Sequence, residues 1–171
     1  AFNQLTERDQ NIINTCISIC GLNEHKFKPV AELSDGLFQK AMIAKGLAQQ
    51  TSVLLLDEPT TYLDLAHQID ILDLLFDLNK KQKKTIIMVL HDLNLACRYA
   101  DHMIAVAQKT VYAQGRPTEI LDVRTVKDVF GLNCFITEDP LFGTPLCIPY
   151  GKGQQQIKKN APSNLPKDEK H

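Results

Sequence analysis

Apolar positions recur at helical spacing in two segments of the first fifty residues. Over residues 6–19 they fall on one side of a predicted helix, and Thr6 is followed three residues later by Asp9, the spacing of a capping box at a helix start. A second helix is predicted over residues 37–49, where the apolar members are Ala41, Ile43, Ala44, Leu47 and Ala48. The pattern therefore predicts two amphipathic helices joined by a polar loop.

The period of the apolar pattern changes at Val53. Residues 53–56 form a continuous apolar run that ends in two acids and a proline, and residues 85–90 form a second run that ends at His91-Asp92. Such runs predict buried parallel strands, and helical spacing over residues 69–76 predicts a helix between them. A strand, helix and strand at this spacing predict a right-handed parallel crossover, so the fold class is α/β.

Smaller elements are predicted around and after this crossover. The lysines at positions 80, 81, 83 and 84 are predicted to form a solvated loop. A short helix is predicted after Asp92 to about Ala100, and an antiparallel pair of strands over 103–107 and 110–113. Two small helices, 118–123 and 124–130, and two last apolar segments, 135–136 and 145–149, follow. From Gly151 onwards Gln, Lys, Asn and Pro dominate, so we expect a mobile tail.

Composition restricts the class of protein further. The chain has 171 residues, 44% hydrophobic and 23% charged, which is typical of one soluble globular domain. A formal net charge of −1 gives no global attraction to nucleic acid or to an anionic membrane. No apolar run reaches the roughly 20 residues of a membrane helix, and the first residues do not resemble a signal peptide.

The five cysteines indicate a reduced protein. Cys16 and Cys20 stand four apart on the first predicted helix, and no second close pair follows them. We therefore predict buried thiols in a cytosolic protein rather than a metal site or a disulfide.

Ionisable residues follow both predicted strands of the crossover. In parallel α/β sheets, ligands bind beyond the carboxyl ends of the strands. Four apolar residues and then Asp57-Glu58 are typical of a Walker B strand, in which Asp57 holds Mg²⁺ directly or through water and Glu58 orients or deprotonates the water that attacks the γ-phosphate of ATP. The alternative is an acidic helix start, where both carboxylates only stabilise the helix dipole.

Four segments together resemble the ordered motif set of ATP-binding cassette (ABC) ATPases. Leu33–Gly36 resembles the signature loop, residues 54–60 the Walker B strand, Leu63-Asp64 the D-loop and His91 the switch histidine. Ser34 precedes Asp57 by 23 residues and His91 follows it by 34, and both separations fit that family. The resemblance covers roughly residues 1–150.

This resemblance implies a partial P-loop NTPase fold with three parts. Residues 1–50 would belong to the helical signature subdomain and residues 51–150 to the C-terminal part of the ABC ATPase catalytic core. The core would have a parallel sheet and a small antiparallel edge, followed by a polar tail over residues 151–171.

The resemblance also implies roles for individual residues. Ser34, Asp35 and Gly36 would bind the ATP of an opposite subunit, Asp64 would lie in the D-loop between the two sites, and His91 would hydrogen-bond the γ-phosphate. The cofactors would be ATP and Mg²⁺, and the partner a second ATPase subunit in a head-to-tail dimer. The simpler alternatives are that Ser34 is only a helix cap and His91 only a hydrogen-bonded strand-end histidine.

Within the family, residues 59–68, 91–101 and 139–146 resemble ATPases of iron-siderophore (ferric hydroxamate) and cobalamin importers of Gram-positive bacteria. This implies a peripheral subunit on the cytoplasmic face of the cell membrane, which works with membrane permease subunits and indirectly with a siderophore-binding protein. ABC ATPases of DNA repair and translation are not supported, because the chain has neither a coiled-coil insertion nor a basic face. We therefore expect no nucleic-acid partner.

Two departures from the family pattern change what we expect of this chain. It contains no GxxxxGK[ST] phosphate loop, and its signature is Leu33-Ser34-Asp35-Gly36-Leu37 in place of the usual Leu-Ser-Gly-Gly-Gln. We expect a C-terminal portion that by itself binds ATP weakly or not at all, and whose unpaired sheet edges and apolar faces make it associate. The alternative is a non-catalytic coupling or regulatory module that keeps the dimer surface.

Overall fold

The computed structural model describes residues 5–151, which fall into two compact units, one ending at His91 and the other beginning at Asp92. The boundaries expected at residues 50 and 150 stay predictions, and the expected tail lies outside the described residues apart from the exposed Gly151. The first unit consists of α1 (Glu7–Ile19), α2 (Asp35–Ala48), β1 (Val53–Leu56), α3 (Leu65–Gln82) and β2 (Thr85–Met88).

The two helices of the amino-terminal segment form where the pattern placed them. The Thr6 hydroxyl accepts a hydrogen bond from the Asp9 backbone N–H at 3.2 Å, and the Asp9 carboxylate accepts one from the Thr6 N–H at 2.9 Å. This capping box satisfies two backbone donors at the start of α1. The helix α2 begins at Asp35, two residues earlier than predicted, because Ser34 takes the extended backbone of an N-cap.

The lysine run is only partly the predicted loop, because Lys83 and Lys84 lie between α3 and β2 whereas the first two lysines are helical. Lys80 and Lys81 lie in the last turn of α3, where a positive charge interacts favourably with the helix dipole. Lys83 ends the helix in the left-handed region, with φ at 57°. Lys84 is half-buried, and its ammonium donates to the backbone oxygen of Thr51.

The parallel crossover predicted from the apolar runs is confirmed. Val53 lies opposite Thr85 and Leu56 opposite Met88, and α3 connects the two strands. A Cβ at Gly46 would lie 2.8 Å from Leu54 Cδ1, so a glycine there lets α2 lie directly against β1. The core of this unit is formed by Cys16, Cys20, Leu22, Ile43, Ala44, Leu47, Leu54, Ile71, Leu75 and Leu78.

The two strands are buried on one face only, which corrects the prediction of strands buried on both. Leu54 is 7% exposed, whereas the adjacent Leu55 is 71% exposed. Strand side chains alternate between the faces of a sheet, so the helices cover Leu54 and leave the other face open. Val53, Ile87 and Val89 share that open apolar face with Leu55.

The described part of the second unit contains the antiparallel pair that was predicted over residues 103–113, a second antiparallel pair formed by the last two apolar segments, and three helices. Its elements are α4 (Leu93–Tyr99), β3 (Met103–Ala107), β4 (Thr110–Gly115), α5 (Pro117–Ile120), α6 (Val123–Phe130), β5 (Cys134–Glu138) and β6 (Pro145–Pro149). The strands pair as β3 with β4 and β5 with β6. Among the described residues of the chain, no helix combines the length and the hydropathy that crossing a bilayer requires.

A buried carboxylate holds the loop between β5 and β6 against α4. Asp139 is 2% exposed; its Oδ2 accepts from Arg98 Nε at 2.8 Å, and its Oδ1 accepts from the backbone N–H of Leu141 at 2.9 Å. The hydrogen bond from Leu141, and after it the Arg98 guanidinium, lower the pKa of Asp139 against the opposing effect of burial. The Arg98 guanidinium also lies 4.8 Å from the centre of the Phe142 ring. The segment 139–146 singled out by its sequence therefore has a structural role in this unit.

All five cysteines are buried free thiols, which confirms the prediction for Cys16 and Cys20. Burial raises the pKa of Cys20 to about 12 and that of Cys97 to about 11. Such thiols remain protonated at neutral pH and act as small apolar side chains.

One-sided burial predicts unequal effects of truncating the two adjacent leucines. Leu54→Ala should lower the free energy of unfolding by about 2–4 kcal/mol, because it leaves a cavity between β1 and α2. Leu55→Ala should change it by about 0.5 kcal/mol or less, because its side chain is already in water. Urea denaturation followed by circular dichroism measures both, and equal losses would show that both faces of the strands are covered.

Candidate functional site

The pairing of β1 with β2 brings two predicted site residues into direct contact. The strands are parallel, so their carboxyl ends meet at one edge, and the Val89 backbone N–H donates to the Leu56 carbonyl at 3.1 Å just beyond the paired residues. Glu58 follows β1 and His91 follows β2. The His91 Nε2 atom lies 2.7 Å from Glu58 Oε1, so the carboxylate and the imidazole form a hydrogen-bonded pair.

Both carboxylate oxygens of Glu58 have a hydrogen-bond partner. Thr61 Oγ1 donates to Glu58 Oε2 at 2.9 Å. The hydrogen bonds from His91 and then from Thr61 lower the pKa of Glu58, which outweighs a smaller rise caused by desolvation. The carboxylate is therefore ionised at neutral pH, and since a carboxylate has about four acceptor positions, it retains capacity to bind a water molecule.

Sequence analysis gave Thr61 no role. The available signal was its position three residues after Glu58, in a turn where the Thr61 N–H donates to the Glu58 carbonyl at 3.2 Å. Glu58 and Tyr62 have positive φ angles of 48° and 65°, which are uncommon for residues other than glycine. Strained backbone of this kind is concentrated at functional sites, and here it shapes the loop that presents the Glu58 carboxylate.

Asp57 is compatible with a magnesium ion that arrives with a nucleotide. Its side chain is exposed at the end of β1. Within the described part of the chain, no three His, Cys, Asp or Glu side chains are grouped so as to hold a metal by themselves. Mg²⁺ is usually held by one or two carboxylates together with water and substrate phosphates, so one exposed carboxylate fits this mode of binding.

A second group of predicted residues lies at the amino terminus of α2. Ser34 is the N-cap, but its side chain makes no capping hydrogen bond, so the structure does not support capping as its only role. The first N–H groups of a helix lack helical partners, and with the helix dipole they favour an anion. Asp35 in the first turn adds a negative charge that opposes an anion at the same place. Leu37 packs against the core of the first unit.

Asp64 is the N-cap of α3, and its partner His67 is a residue to which sequence analysis gave no role. Asp64 Oδ1 accepts from the His67 backbone N–H at 2.9 Å and lies 2.8 Å from His67 Nδ1. These hydrogen bonds, the backbone one foremost, lower the pKa of Asp64. The signal was the capping distance of three residues between the two side chains. The His67 ring also lies against Gly36, so the first turn of α3 touches the first turn of α2 within this unit.

Comparison with known proteins agrees with this arrangement. The family model described as "ABC transporter" matches residues 3–61. The chain is 53% identical over 158 residues to the petrobactin import ATP-binding protein FpuD of Bacillus anthracis, which covers 92% of this chain and 58% of that protein. It is 57% identical over 153 residues to the achromobactin transport ATP-binding protein CbrD of Dickeya dadantii. That match covers 90% of this chain and 57% of CbrD. The chain belongs to the ABC transporter ATP-binding family.

A third relative and two solved structures extend the comparison. The iron(3+)-hydroxamate import ATP-binding protein FhuC of Bacillus subtilis is 45% identical over 149 residues, covering 87% of this chain and 55% of that protein. An inward-facing ABC transporter described as of the metal-chelate type matches with a TM-score of 0.80 and 25% identity, over 89% of this chain and 61% of that one. The dimeric ATP-binding cassette MJ0796, bound to ADP and Pi, matches with a TM-score of 0.55 and 28% identity. That match covers 68% of this chain and 50% of the MJ0796 chain.

These likenesses confirm the predicted family and fold. The described residues are part of an ABC ATPase domain, with a parallel strand pair and antiparallel strands. The chain spans 55–58% of the length of the three curated relatives named above. The roles of the individual residues in this ABC ATPase portion stay predictions.

The two hydrogen bonds of Glu58 predict how its titration responds to substitution. His91→Ala should raise the pKa of Glu58 towards its ordinary value of 4.5, and Thr61→Val should raise it less. Because the pKa of Glu58 is lower in the folded than in the unfolded state, the ionised carboxylate stabilises the folded state at pH values above the ordinary pKa. This stabilisation is lost as the pH falls through the lowered pKa. Carboxyl-carbon NMR titration measures these values, and an unchanged pKa in His91→Ala would contradict the pairing.

Proposed function

We propose that this chain carries the signature loop, Walker B strand, D-loop and switch histidine of an ATPase subunit that powers the import of an iron-siderophore complex through an ABC transporter. The observation that carries the proposal is the 2.7 Å pairing of Glu58 with His91 at the carboxyl ends of two parallel strands. Two relatives are named as ATP-binding proteins for the import of petrobactin and of iron(3+)-hydroxamate, and these names support the choice of substrate class.

At this edge of the sheet, three side chains have separate roles in ATP hydrolysis. Glu58 is held ionised by His91 and Thr61, and it orients a water molecule and accepts its proton. The His91 imidazole, 72% exposed, hydrogen-bonds the γ-phosphate. Asp57 holds Mg²⁺, which supplies neutralisation of phosphate charge when it is bound with ATP.

The remaining site residues act across a head-to-tail dimer with a second ATPase subunit. Ser34 offers its hydroxyl, and Asp35 and Gly36 offer backbone N–H groups, to the γ-phosphate of the ATP held by the partner. Asp64 belongs to the D-loop between the two sites. The dimeric form of MJ0796 supports this mode of assembly.

The assembled protein would be a peripheral subunit at the cytoplasmic face of the cell membrane. It would bind membrane permease subunits and depend indirectly on a siderophore-binding protein. Residues 1–171 by themselves would be inactive, because a phosphate loop ordinarily supplies the backbone amides and the lysine that hold the phosphates.

A non-catalytic coupling or regulatory module is the second candidate function. It is favoured by one observation, which is that these 171 residues contain no GxxxxGK[ST] sequence. Such a module would keep the signature and D-loop surface for dimerisation and would not hydrolyse ATP.

Substitution of Glu58 tests the catalytic proposal in the protein that contains this chain together with a phosphate loop. Glu58→Gln should still permit ATP-dependent dimerisation, because its size and shape are kept, and should lower turnover by about 100-fold or more through loss of the base. Phosphate release measures turnover, and size-exclusion chromatography with light scattering measures the dimer.

Glu24→Gln is the matched control, because Glu24 is exposed and lies in a short 3-10 turn away from the strand ends. It should leave both quantities unchanged. Normal turnover in Glu58→Gln would remove the carboxylate from the role of base. A wild-type protein that dimerises with ATP but never releases phosphate would favour the regulatory module.

A further inference from the structure

The helices α2 and α3 contact each other at two places one turn apart. Nearer the site, the His67 ring lies on Gly36, which is buried in the first turn of α2. A Cβ at Gly36 would come within 2.6 Å of His67 Cδ2 and 3.2 Å of Cγ, which is too close for any side chain. Further along, the Lys40 ammonium and the Asp70 carboxylate form an ion pair at 2.5 Å.

The opposite side of the His67 ring is held by Asp64. The Asp64 carboxylate can only accept, so the 2.8 Å contact requires a proton on His67 Nδ1. The same carboxylate oxygen accepts the His67 backbone N–H at 2.9 Å, which fixes the first turn of α3. The ring therefore lies between two neighbours, the Asp64 carboxylate and the open side of Gly36, while about half of the His67 side chain is exposed.

We propose that His67 is a positioning residue that sets the distance between the signature loop and the D-loop of the same subunit. The inference rests on the proposed function, which assigns Ser34–Gly36 and Asp64 to the ATP-bound dimer interface. Because the His67 ring packs between Gly36 and Asp64, the signature loop and the D-loop move together when a partner subunit binds either loop. The contact also gives a second reason for a glycine at position 36. Besides letting a phosphate approach closely, the missing side chain leaves the space that the imidazole occupies.

A double-mutant cycle on residues 1–171 tests the contact without ATP. With His67 present, Gly36→Ala should lower the melting temperature by about 4 °C or more, because the new methyl group collides with the ring. In the His67→Ala background, the same substitution should leave the melting temperature unchanged or raise it slightly, because alanine favours a helix more than glycine does. Additive losses in the two backgrounds would overturn the contact and the proposal.

A second arm tests the positioning role by the ATP dependence of dimerisation and turnover in the protein that has a phosphate loop. His67→Ala should raise the ATP concentration for half-maximal turnover about tenfold, with a smaller loss of kcat, because the loops no longer meet the partner as one unit. His67→Asn should restore the value to within about twofold, because its amide can still donate to Asp64 from the same side-chain position.

Lys40→Ala is the matched control for helix packing. It breaks the Lys40–Asp70 ion pair between the same two helices and should lower the melting temperature without moving the ATP dependence. If His67→Ala behaves like Lys40→Ala, its role is only structural and the proposal fails. If the wild-type protein neither dimerises nor hydrolyses ATP, the proposed function fails and the positioning role with it, while the ATP-free cycle still reports whether His67 and Gly36 are coupled.

Discussion

The parallel pairing of β1 with β2 is the constraint on which the candidate site depends. Residues directly after two parallel strands emerge at the same edge, and the hydrogen bond from Val89 to Leu56 continues the pairing beyond Met88. This places Glu58 and His91 close enough for a direct hydrogen bond, although 33 residues separate them in the sequence. The lowered pKa of Glu58 follows from that proximity, so the chemistry of the carboxylate is set by backbone geometry.

The first turn of α3 connects the strand edge to the signature helix. The segment that leaves β1 passes Glu58, Thr61 and Tyr62 with two residues in the left-handed region, and then Asp64 caps the helix. Within that turn, His67 reaches Gly36 on α2. The loop after β1, the start of α3 and the start of α2, which carry the predicted Walker B, D-loop and signature residues, are therefore linked through one helix start in the described structure.

Those parts of the fold that local signals specify were predictable from the sequence. The Thr6-Asp9 capping box, the two strands of the crossover and the β3–β4 pair each have a short-range pattern, and the structure forms them. The exposure of Leu55 was not predictable in this way, because a continuous apolar run does not state which neighbours cover each face. The lysine run was predicted correctly for Lys83 and Lys84 and wrongly for Lys80 and Lys81, because a charge run is compatible with either a solvated loop or a helix terminus.

In the candidate site too, some residues could be predicted from local sequence signals and others could not. Residue type and spacing predicted Asp57, Glu58 and His91 as site residues, and the structure brings the last two together. Thr61 and His67 received no role, because their contacts arise from a loop with positive φ at Glu58 and Tyr62 and from the packing of α3 on α2. The three-residue spacings from Glu58 to Thr61 and from Asp64 to His67 are weak signals, because the same spacing occurs at many positions that form no such contact. The substitution of leucine for a polar signature residue at position 37 is explained only by its place against the core.

The strand register also has a consequence for the order in which we expect the site to form during folding. Val53 and Thr85 are paired although 32 residues separate them, so the chain between them must close a loop before any ladder hydrogen bond forms. The helix α3 occupies most of that loop and can form from local contacts alone, which shortens the distance left to close. We therefore expect the contact between Glu58 and His91 to form late in folding, and the cap between Asp64 and His67 to form together with α3.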